Sequence, residues 1–585
     1  MAGTMSEREL RISCGSTLAA EIDNPASGFT NAAAMARIGS TLYFAKVNKN
    51  SKSKILKSTK FQSGTITSSA VFATLDYFVY GMTAKNQLLY LTCKDSSNVP
   101  FLIKLGLDGT ILAKIRLPRV YVGIASYRTD EFILMEYLDK NNPSQFNFVI
   151  GSMEDLDVSA NKGIHFSVTA NDAEEYTKAN GIYFERNYGL FILTNHYISD
   201  YSSCKNRILL VKSADYIEGG NYRPFAVFQA DMDSKKYKQF NFEGITLYKE
   251  NMYVFANVIG LTDTGLKDRV VYQKGISFKK WRSDASRAGN GYFVFNGSVK
   301  EGVLIPSIEI KGASVRNIQS MAMDDDDAAC CLKCDVDNLY AAMYKTSNPE
   351  TVEPKVIATF GEAEDTRLYH CNGMTYNPVD KKLYVVGYEM GKNGVCYVTV
   401  LATDGSMLRK FQLSEQEYGI TYFSNDTGKS EFILMNKYND GNPSRICFNK
   451  AVYDGKNMIE EERDFYVEIQ RAEQSITLQD VYYHQFYGMF IPVSKKIVEN
   501  KKEKTISEIY HVAKEDVEKA MKSSSNLEIT PDFMISINPD KYSGYEVESM
   551  DLNKKTKKMI MCGNFHVDGD KDHDMYHVLN TLTFV

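Results

Sequence analysis

The chain has 585 residues, room for about three to four domains, or fewer if each is a large all-β unit. With 44% hydrophobic and 24% charged residues and 13 Pro, collagen-like, low-complexity and wholly disordered readings are excluded. Basic residues number 68 against 73 acidic ones, a net charge of −5 spread along the chain, so there is no electrostatic footprint for nucleic acid or an anionic membrane.

The opening stretch, Met1 to Leu10, is charged where a secretory leader would be apolar. No run reaches the roughly 18 to 20 apolar residues of a membrane-spanning helix, so no membrane insertion is expected. The sequence as it stands predicts a cytoplasmic or other intracellular protein; secretion would require a leader already removed. The 10 cysteines, set in strand-like runs such as those of Cys93 and Cys396, agree with a reducing compartment. The 38 Tyr and 31 Phe favour strands, because flat aromatic side chains pack well on a pleated surface.

Leu10 to Ile22 reads as the first strand. A motif then recurs: a variable residue, a small one, and Met, Ile or Val, opening an aromatic-aliphatic meander. The first half carries it as Ala33-Ala34-Met35, Tyr80-Gly81-Met82, Val122-Gly123-Ile124, Asn180-Gly181-Ile182 and Glu243-Gly244-Ile245. Each interval has room for four strands. The second runs from Gly81 through Leu88 to Thr92 and Phe101 to Leu105, then turns at Asp108-Gly109 into Ile111 to Leu117. Asp-Gly between apolar runs is a strong hairpin signal, since both residues tolerate the positive φ of a tight turn.

Beyond a Ser/Arg/Gly/Asn-rich stretch from Trp281 to Gly302, which reads as a linker, the second half repeats the first. Glu131-Phe132-Ile133-Leu134-Met135 returns as Glu431-Phe432-Ile433-Leu434-Met435, and Asn142-Pro143-Ser144 as Asn442-Pro443-Ser444. The motif returns as Gln319-Ser320-Met321, Asn372-Gly373-Met374, Tyr418-Gly419-Ile420, Gln479-Asp480-Val481 and Glu548-Ser549-Met550. The sequence therefore predicts halves at 1–290 and 291–585.

A four-stranded meander cannot bury both faces alone, but radially stacked copies can. The small-residue start of an inner strand followed by a Leu-Tyr strand resembles that of β-propellers in general. The Trp-Asp dipeptide, the kelch di-glycine and the Ser-x-Asp-x-Gly-x-x-Trp box are missing, so the resemblance implies a fold and carries over no functional residue. The predicted fold class is an all-β propeller of ten four-stranded blade units. Two tandem five-bladed rings are the simpler arrangement, with Leu10 to Ile22 completing the unit at Glu243 and Val303 to Ile310 completing the unit at Glu548. One ten-bladed ring closed by the two chain ends is the alternative, since either scheme removes exposed sheet edges.

The residue before each inner-strand small residue is expected at the axial channel or its mouth. Tyr80, Asn180, Glu243, Gln319, Asn372, Tyr418, Gln479 and Glu548 are therefore the candidate ligand-binding positions; Ala33 and Val122 complete the ten. Glu243 and Glu548 match between the halves and are the candidate catalytic carboxylates, because glycoside hydrolysis takes one acid and one base or nucleophile. The plainer expectation is that each hydrogen-bonds a channel-lining backbone group. His566, Asp568, Asp570, Asp572, His573, Asp574 and His577 form the densest polar cluster. Its alternating Asp568, Asp570 and Asp572, with His573, are weak candidate ligands for a divalent cation near Asp568 to Asp574. The cluster lacks the Gly and Glu of a calcium loop, and a solvated hairpin loop is the plainer reading. Cys330, Cys331 and Cys334 read as buried strand cysteines, and Asp324 to Asp327 as a tight loop.

No Gly-x-Ser-x-Gly elbow and no phosphate-cradling loop is present. The main expectation is a non-catalytic binding or scaffold protein that holds a protein, peptide or glycan partner on its faces or channel mouths. The alternatives are a carbohydrate-active hydrolase or lyase using inner-strand carboxylates, and a structural subunit of a surface or virion assembly.

Overall fold

The computed structural model describes residues 10–21, 29, 31–48, 52–58, 61–62, 65–66, 69–137, 144–170, 177–186, 188–197, 204–211, 217, 219–224, 226–232, 237–248, 251–260, 267–274, 276–280, 291–389, 394–426, 428–436, 445–469, 476–499, 502–523, 527–567 and 570–584. The chain divides into two compact units, Met1–Gly291 and Tyr292–Val585. Each is built of antiparallel four-stranded sheets, and together they form the ten blades of an all-β propeller protein.

In unit 1 the innermost strands are Asn31–Ile38, Phe78–Lys85, Tyr121–Ser126, Thr177–Glu185 and Tyr237–Tyr248. Each lies beside the next, and the last returns to lie beside the first, so five blades close one ring. Phe44 of blade 1 and Phe255 of blade 5, both fully buried with ring centroids 4.9 Å apart, fill the closing wedge. In unit 2 the strands Asn317–Met323, His370–Asn377 and Glu417–Asp426, the pair Ile476–Leu478 and Tyr482–His484, and Gly544–Asn553 make the second ring. Two five-bladed rings are thus formed, and the single ten-bladed ring is excluded because blade 5 of unit 1 meets blade 1 of its own unit.

Both rings are sewn shut by their own N-terminal segments. In unit 1, Leu10–Glu21 pairs parallel with the outer strand of blade 4 (Arg11 opposite Val227) and antiparallel with that of blade 5 (Glu21 opposite Arg269). In unit 2 the same job is divided. Gly291–Asn296 pairs parallel with Phe533–Ile537 of blade 4, and Val299–Leu304 pairs antiparallel with Asp570–Leu579 of blade 5. This corrects two expectations. Residues 291–302 are closing strands rather than linker, while 281–290 lie outside the described residues. The closing strand of blade 5 is Val299–Leu304 rather than Val303 to Ile310. Pro306 lacks the N–H that a continuing strand would need, and Ile308–Ile310 turns back to pair with Ala313–Val315.

The small residue of the motif is a packing requirement. A Cβ on Gly81 would lie 3.0 Å from Gly123 Cα of the next blade, and one on Gly244 would lie 2.5 Å from Met35 N. The five inner strands of unit 1 therefore abut at one level, where the axis is narrowest.

Candidate functional site

Nine of the ten variable residues of the motif sit on a β-bulge. The inner-strand register slips between Val79 and Gly81, Ala179 and Gly181, Phe242 and Gly244, Ile318 and Ser320, Glu417 and Gly419, and Val547 and Ser549, and likewise at Ala33, Val122 and Asn372. A bulge holds one unpaired residue and re-aims its side chain. At the tenth position the strand breaks outright between Leu478 and Tyr482, which frees Gln479.

In unit 1 the bulge residues form a polar lock. Asn180 donates to Glu243 Oε2 at 3.0 Å and to Phe242 O at 3.1 Å, and Asn257 donates to Glu243 Oε1 at 3.0 Å. Asn195 pairs with both backbone groups of Phe242, at 2.8 Å each, and Ala32 N donates to Asn257 Oδ1 at 2.9 Å. Glu243 is thus the hydrogen-bonded acceptor of a structural network tying blades 1, 4 and 5. Tyr80 is half-buried at its bulge, with Lys94 Nζ 5.7 Å from its ring centroid.

Unit 2 is built differently at the same level. Asn372 spans the axis, donating to Tyr418 O at 2.9 Å and Gln479 O at 2.6 Å. Asn241, which faces Asn257 across the pair of strands in unit 1, is replaced by Glu546, which faces Asn564. Gln479 donates to Glu546 Oε1 at 2.7 Å and to Ser494 Oγ at 3.3 Å, not to Glu548. The Glu548 carboxyl accepts no hydrogen bond among the described residues, although the residue is only 7% exposed. Burial, reinforced by the charges of Glu546 and Asp574, holds it well above the usual carboxylate range, and burial also raises Glu546. Gln319, also 7% exposed, keeps a buried Oε1 without a partner. Tyr418 packs against Tyr388 with ring centroids 5.3 Å apart.

Asp480 is a residue that the motif reading treated only as a small position. Its carboxyl occupies the axis left open by Gly373 and Gly419, whose Cβ positions would lie 2.8 and 3.0 Å from Asp480 Oδ1. Val481 N donates to Oδ1 at 2.8 Å, and Ser549 Oγ lies 2.7 Å from Oδ2. Burial raises this carboxyl from 3.8 to about 8. A protonated Asp480 can donate to Ser549 Oγ, which in turn donates to Met321 O at 3.1 Å, so the neutral acid completes the chain of bonds. The departure from Gly, Ala or Ser at this one position was the available signal.

The cavity in the described part of unit 1 lies on the other side of the narrow level. It holds about 350 Å³ and takes lining residues from all five inner strands or the residues just beyond them, all past the motif's small residue. Tyr127, Tyr183 and Phe184 supply aromatic faces; Thr83, Ser126, Thr246, Glu185 and Arg186 supply polar groups. Tyr183 is half-buried, and burial raises its hydroxyl, with Glu185 adding to the rise and Arg37 opposing it. Neither Glu185 nor Arg186 makes an ion pair among the described residues. The sequence reading looked to the residue before the motif's small residue, whereas this lining begins with the residues after it, Met35, Met82, Ile182 and Ile245 among them.

The cation candidates fare differently from one another. Asp568 lies outside the described residues, as do the side chains of Asp570 and Asp572; His573 is half-buried opposite Phe565. The region is strand from Asp570 onward rather than a solvated loop, and its far end is core. Asp574 forms a fully buried ion pair with Lys333 at 2.7 Å, and burial pushes His577 down to about 3. Among the described residues no three His, Cys, Asp or Glu come together as a metal site. Cys330, Cys331 and Cys334 are free, buried strand cysteines, and Asp324 Oδ1 caps its tight loop by accepting from Asp326 N and Ala328 N at 3.0 Å each. No helix among the described residues is long and apolar enough to cross a membrane.

No protein-family model matches the chain, and no curated protein matches it. Among solved structures it is similar to the α-L-arabinofuranosidase Arb93A from Fusarium graminearum, solved with an iminosugar inhibitor, at 8% identity over 48% of this chain and 98% of that one (TM-score 0.29). It is also similar to CoXyl43, a GH43 β-xylosidase/α-arabinofuranosidase from a compost microbial metagenome solved with xylotriose, at 9% identity over 45% and 95% (TM-score 0.30). PorZ, a surface component of the type-IX secretion system of Porphyromonas gingivalis, is similar at 10% identity over 93% and 79% (TM-score 0.21). At these scores the likeness carries no argument about residue roles.

Proposed function

We propose that the chain is a carbohydrate-recognising protein and that the axial cup of unit 1 is its sugar site. The observation that carries this reading is the cup itself, about 350 Å³ in volume, ringed by Tyr127, Tyr183 and Phe184 and by hydroxyl, carboxylate and guanidinium groups. That volume is at the low end of the range of about 300–1,000 Å³ typical of ligand sites, the size for one or two sugar rings. Aromatic faces suit the C–H faces of a sugar, while Glu185, Arg186 and the threonines suit its hydroxyls. Glycoside hydrolysis takes two carboxyl groups, and the cup lining offers one, so the cup is read as binding rather than cleaving.

A carbohydrate-active hydrolase is the second reading, placed in unit 2. It is favoured by Glu548, which burial raises above the usual carboxylate range beside a second inner-strand carboxyl, Glu546, since a general acid with a raised pKa is what this chemistry uses. The names of Arb93A and CoXyl43 make aryl arabinofuranosides and xylosides the first substrates to try.

Thermal unfolding against mono- and oligosaccharides, with the doubly substituted Glu185→Ala, Arg186→Ala chain in parallel, tests the binding reading. A sugar present at 100 times its Kd should add about 2.7 kcal/mol to the wild type and nothing to the variant. If no sugar shifts the wild type, or the shift survives both substitutions, the cup is not the site. Turnover of an aryl glycoside that disappears in Glu548→Gln at unchanged Tm would favour the second reading instead.

A further inference from the structure

The two rings are copies, and their difference at the bulge level is informative. In unit 1 the carboxylate of Glu243 has two amide donors within 3.0 Å. Its counterpart Glu548 has none: Gln479 turns away to Glu546, and Asn564, placed as Asn257 is in unit 1, leaves its own Oδ1 without a partner. At the same bulge level, the neighbouring inner strand carries the orphaned acceptor Gln319 Oε1, and near Glu548 lies the Tyr388 hydroxyl, which makes no hydrogen bond among the described residues. Tyr388 is close enough to Glu548 to feel its charge, and its ring and that of Tyr418 form an aromatic wall.

A buried polar atom without a partner costs free energy, and Gln319 Oε1 is one, on the strand next to a buried Glu548 carboxyl that accepts no hydrogen bond among the described residues. Gln319 Oε1 and the carboxyl oxygens are acceptors, so the missing group is a donor. Two carboxyls side by side ask that it be a cation. A metal ion would want a further charged ligand that the described residues do not bring together, whereas a primary ammonium has three N–H donors for three acceptors. Aromatic faces beside it add cation–π attraction.

We propose that the mouth of the second ring is a binding site for a primary ammonium group, held by Glu548, Glu546 and Gln319 Oε1 against the wall of Tyr388 and Tyr418. An arriving ammonium offsets both the burial and the like-charge repulsion that raise Glu548. The site is independent of the sugar cup of the first ring. An amino sugar and a lysine side chain offer the same group.

Isothermal titration of the full chain with n-butylammonium chloride, glucosamine and Nα-acetyl-lysine methylamide tests the proposal, with N-acetylglucosamine as the uncharged comparator. At least one ammonium probe is expected to bind, glucosamine best if the source is a sugar and the lysine analogue best if it is a peptide. Glu548→Gln should weaken that probe tenfold or more, while Glu362→Gln, on an exposed ion pair with Lys311, leaves it unchanged. Should Glu548→Gln lose its melting transition, Gln319→Leu takes its place, and a loss of several-fold is expected. The proposal is overturned if no ammonium probe binds, if N-acetylglucosamine binds as well as glucosamine, or if the probe binds a folded mouth variant as tightly as wild type.

Discussion

Asp480 shows how much one side chain can set. Two glycines on neighbouring blades leave a hole on the axis of the second ring, and the carboxyl that fills it is buried deeply enough to stay protonated up to about pH 8. Because the folded ring binds this proton more tightly than the unfolded chain, the contribution to stability is full below about pH 4, near the ordinary value of 3.8, and is lost as pH rises toward 8. Asp480→Asn keeps the shape and can donate to Ser549 Oγ without a titrating proton. The stability of the variant relative to wild type, from urea unfolding, should therefore rise between pH 5 and pH 8. A difference that stays constant across that interval would show that the carboxyl is ionised throughout. The sequence marked the position only as one of ten starts of an inner strand. An Asp where the other copies have Gly, Ser or Ala was legible as a departure, but its meaning depended on the glycines of two other blades.

At the scale of strands, the bulge and the small residue act together. One lets blades meet at the axis; the other turns a side chain out of the ladder toward it. Gly244→Ala would set a methyl carbon 2.5 Å from Met35 N, backbone that cannot swing away, and should cost about 1–3 kcal/mol as an overpacking change in the denaturant midpoint. Gly219→Ala, with nothing nearer than 3.4 Å, should cost no more than about 0.5 kcal/mol. Equal effects at the two sites would remove close packing as the reason for the motif. Strand existence and order were legible because the motif, the Asp-Gly turns and the apolar runs agreed. The third unit, for instance, runs Tyr121–Ser126, Glu131–Glu136, Gln145–Ser152 and Ile164–Thr169 where Gly123 to Thr169 predicts four strands. The closing strand of the second ring was misplaced by a few residues because apolar content alone favours Val303 to Ile310, while Pro306 ends the strand and the turn residues Lys311 and Gly312, whose φ angles are both positive, divert the chain into a hairpin. The axial cup was not legible as a site, because its lining follows the motif's small residue in the repeated units, whereas only the residue before it was expected at the axis.

For the whole molecule, two rings of one plan carry different axial chemistry. The first is locked by amides around Glu243 and opens into a cup beyond its narrow level. The second is plugged by Asp480 and carries an unsatisfied acceptor at Gln319 and a buried, raised carboxyl at Glu548. Because Gly291–Asn296 and Val299–Leu304 belong to the second ring, a fragment of residues 291–585 should fold with a cooperative thermal transition, whereas one of residues 306–585, stripped of both closing strands, should not. Circular dichroism melts of the two fragments distinguish this from a ring that closes without them. The claim on which the functional account rests is that a sugar sits on the axis of the first ring. A crystal structure of the chain with the oligosaccharide that most raises its melting point tests it most directly. The account predicts a sugar ring between Tyr183 and Thr83, with Glu185 and Arg186 at its hydroxyls; a sugar bound only elsewhere, with the cup empty of it, would contradict it.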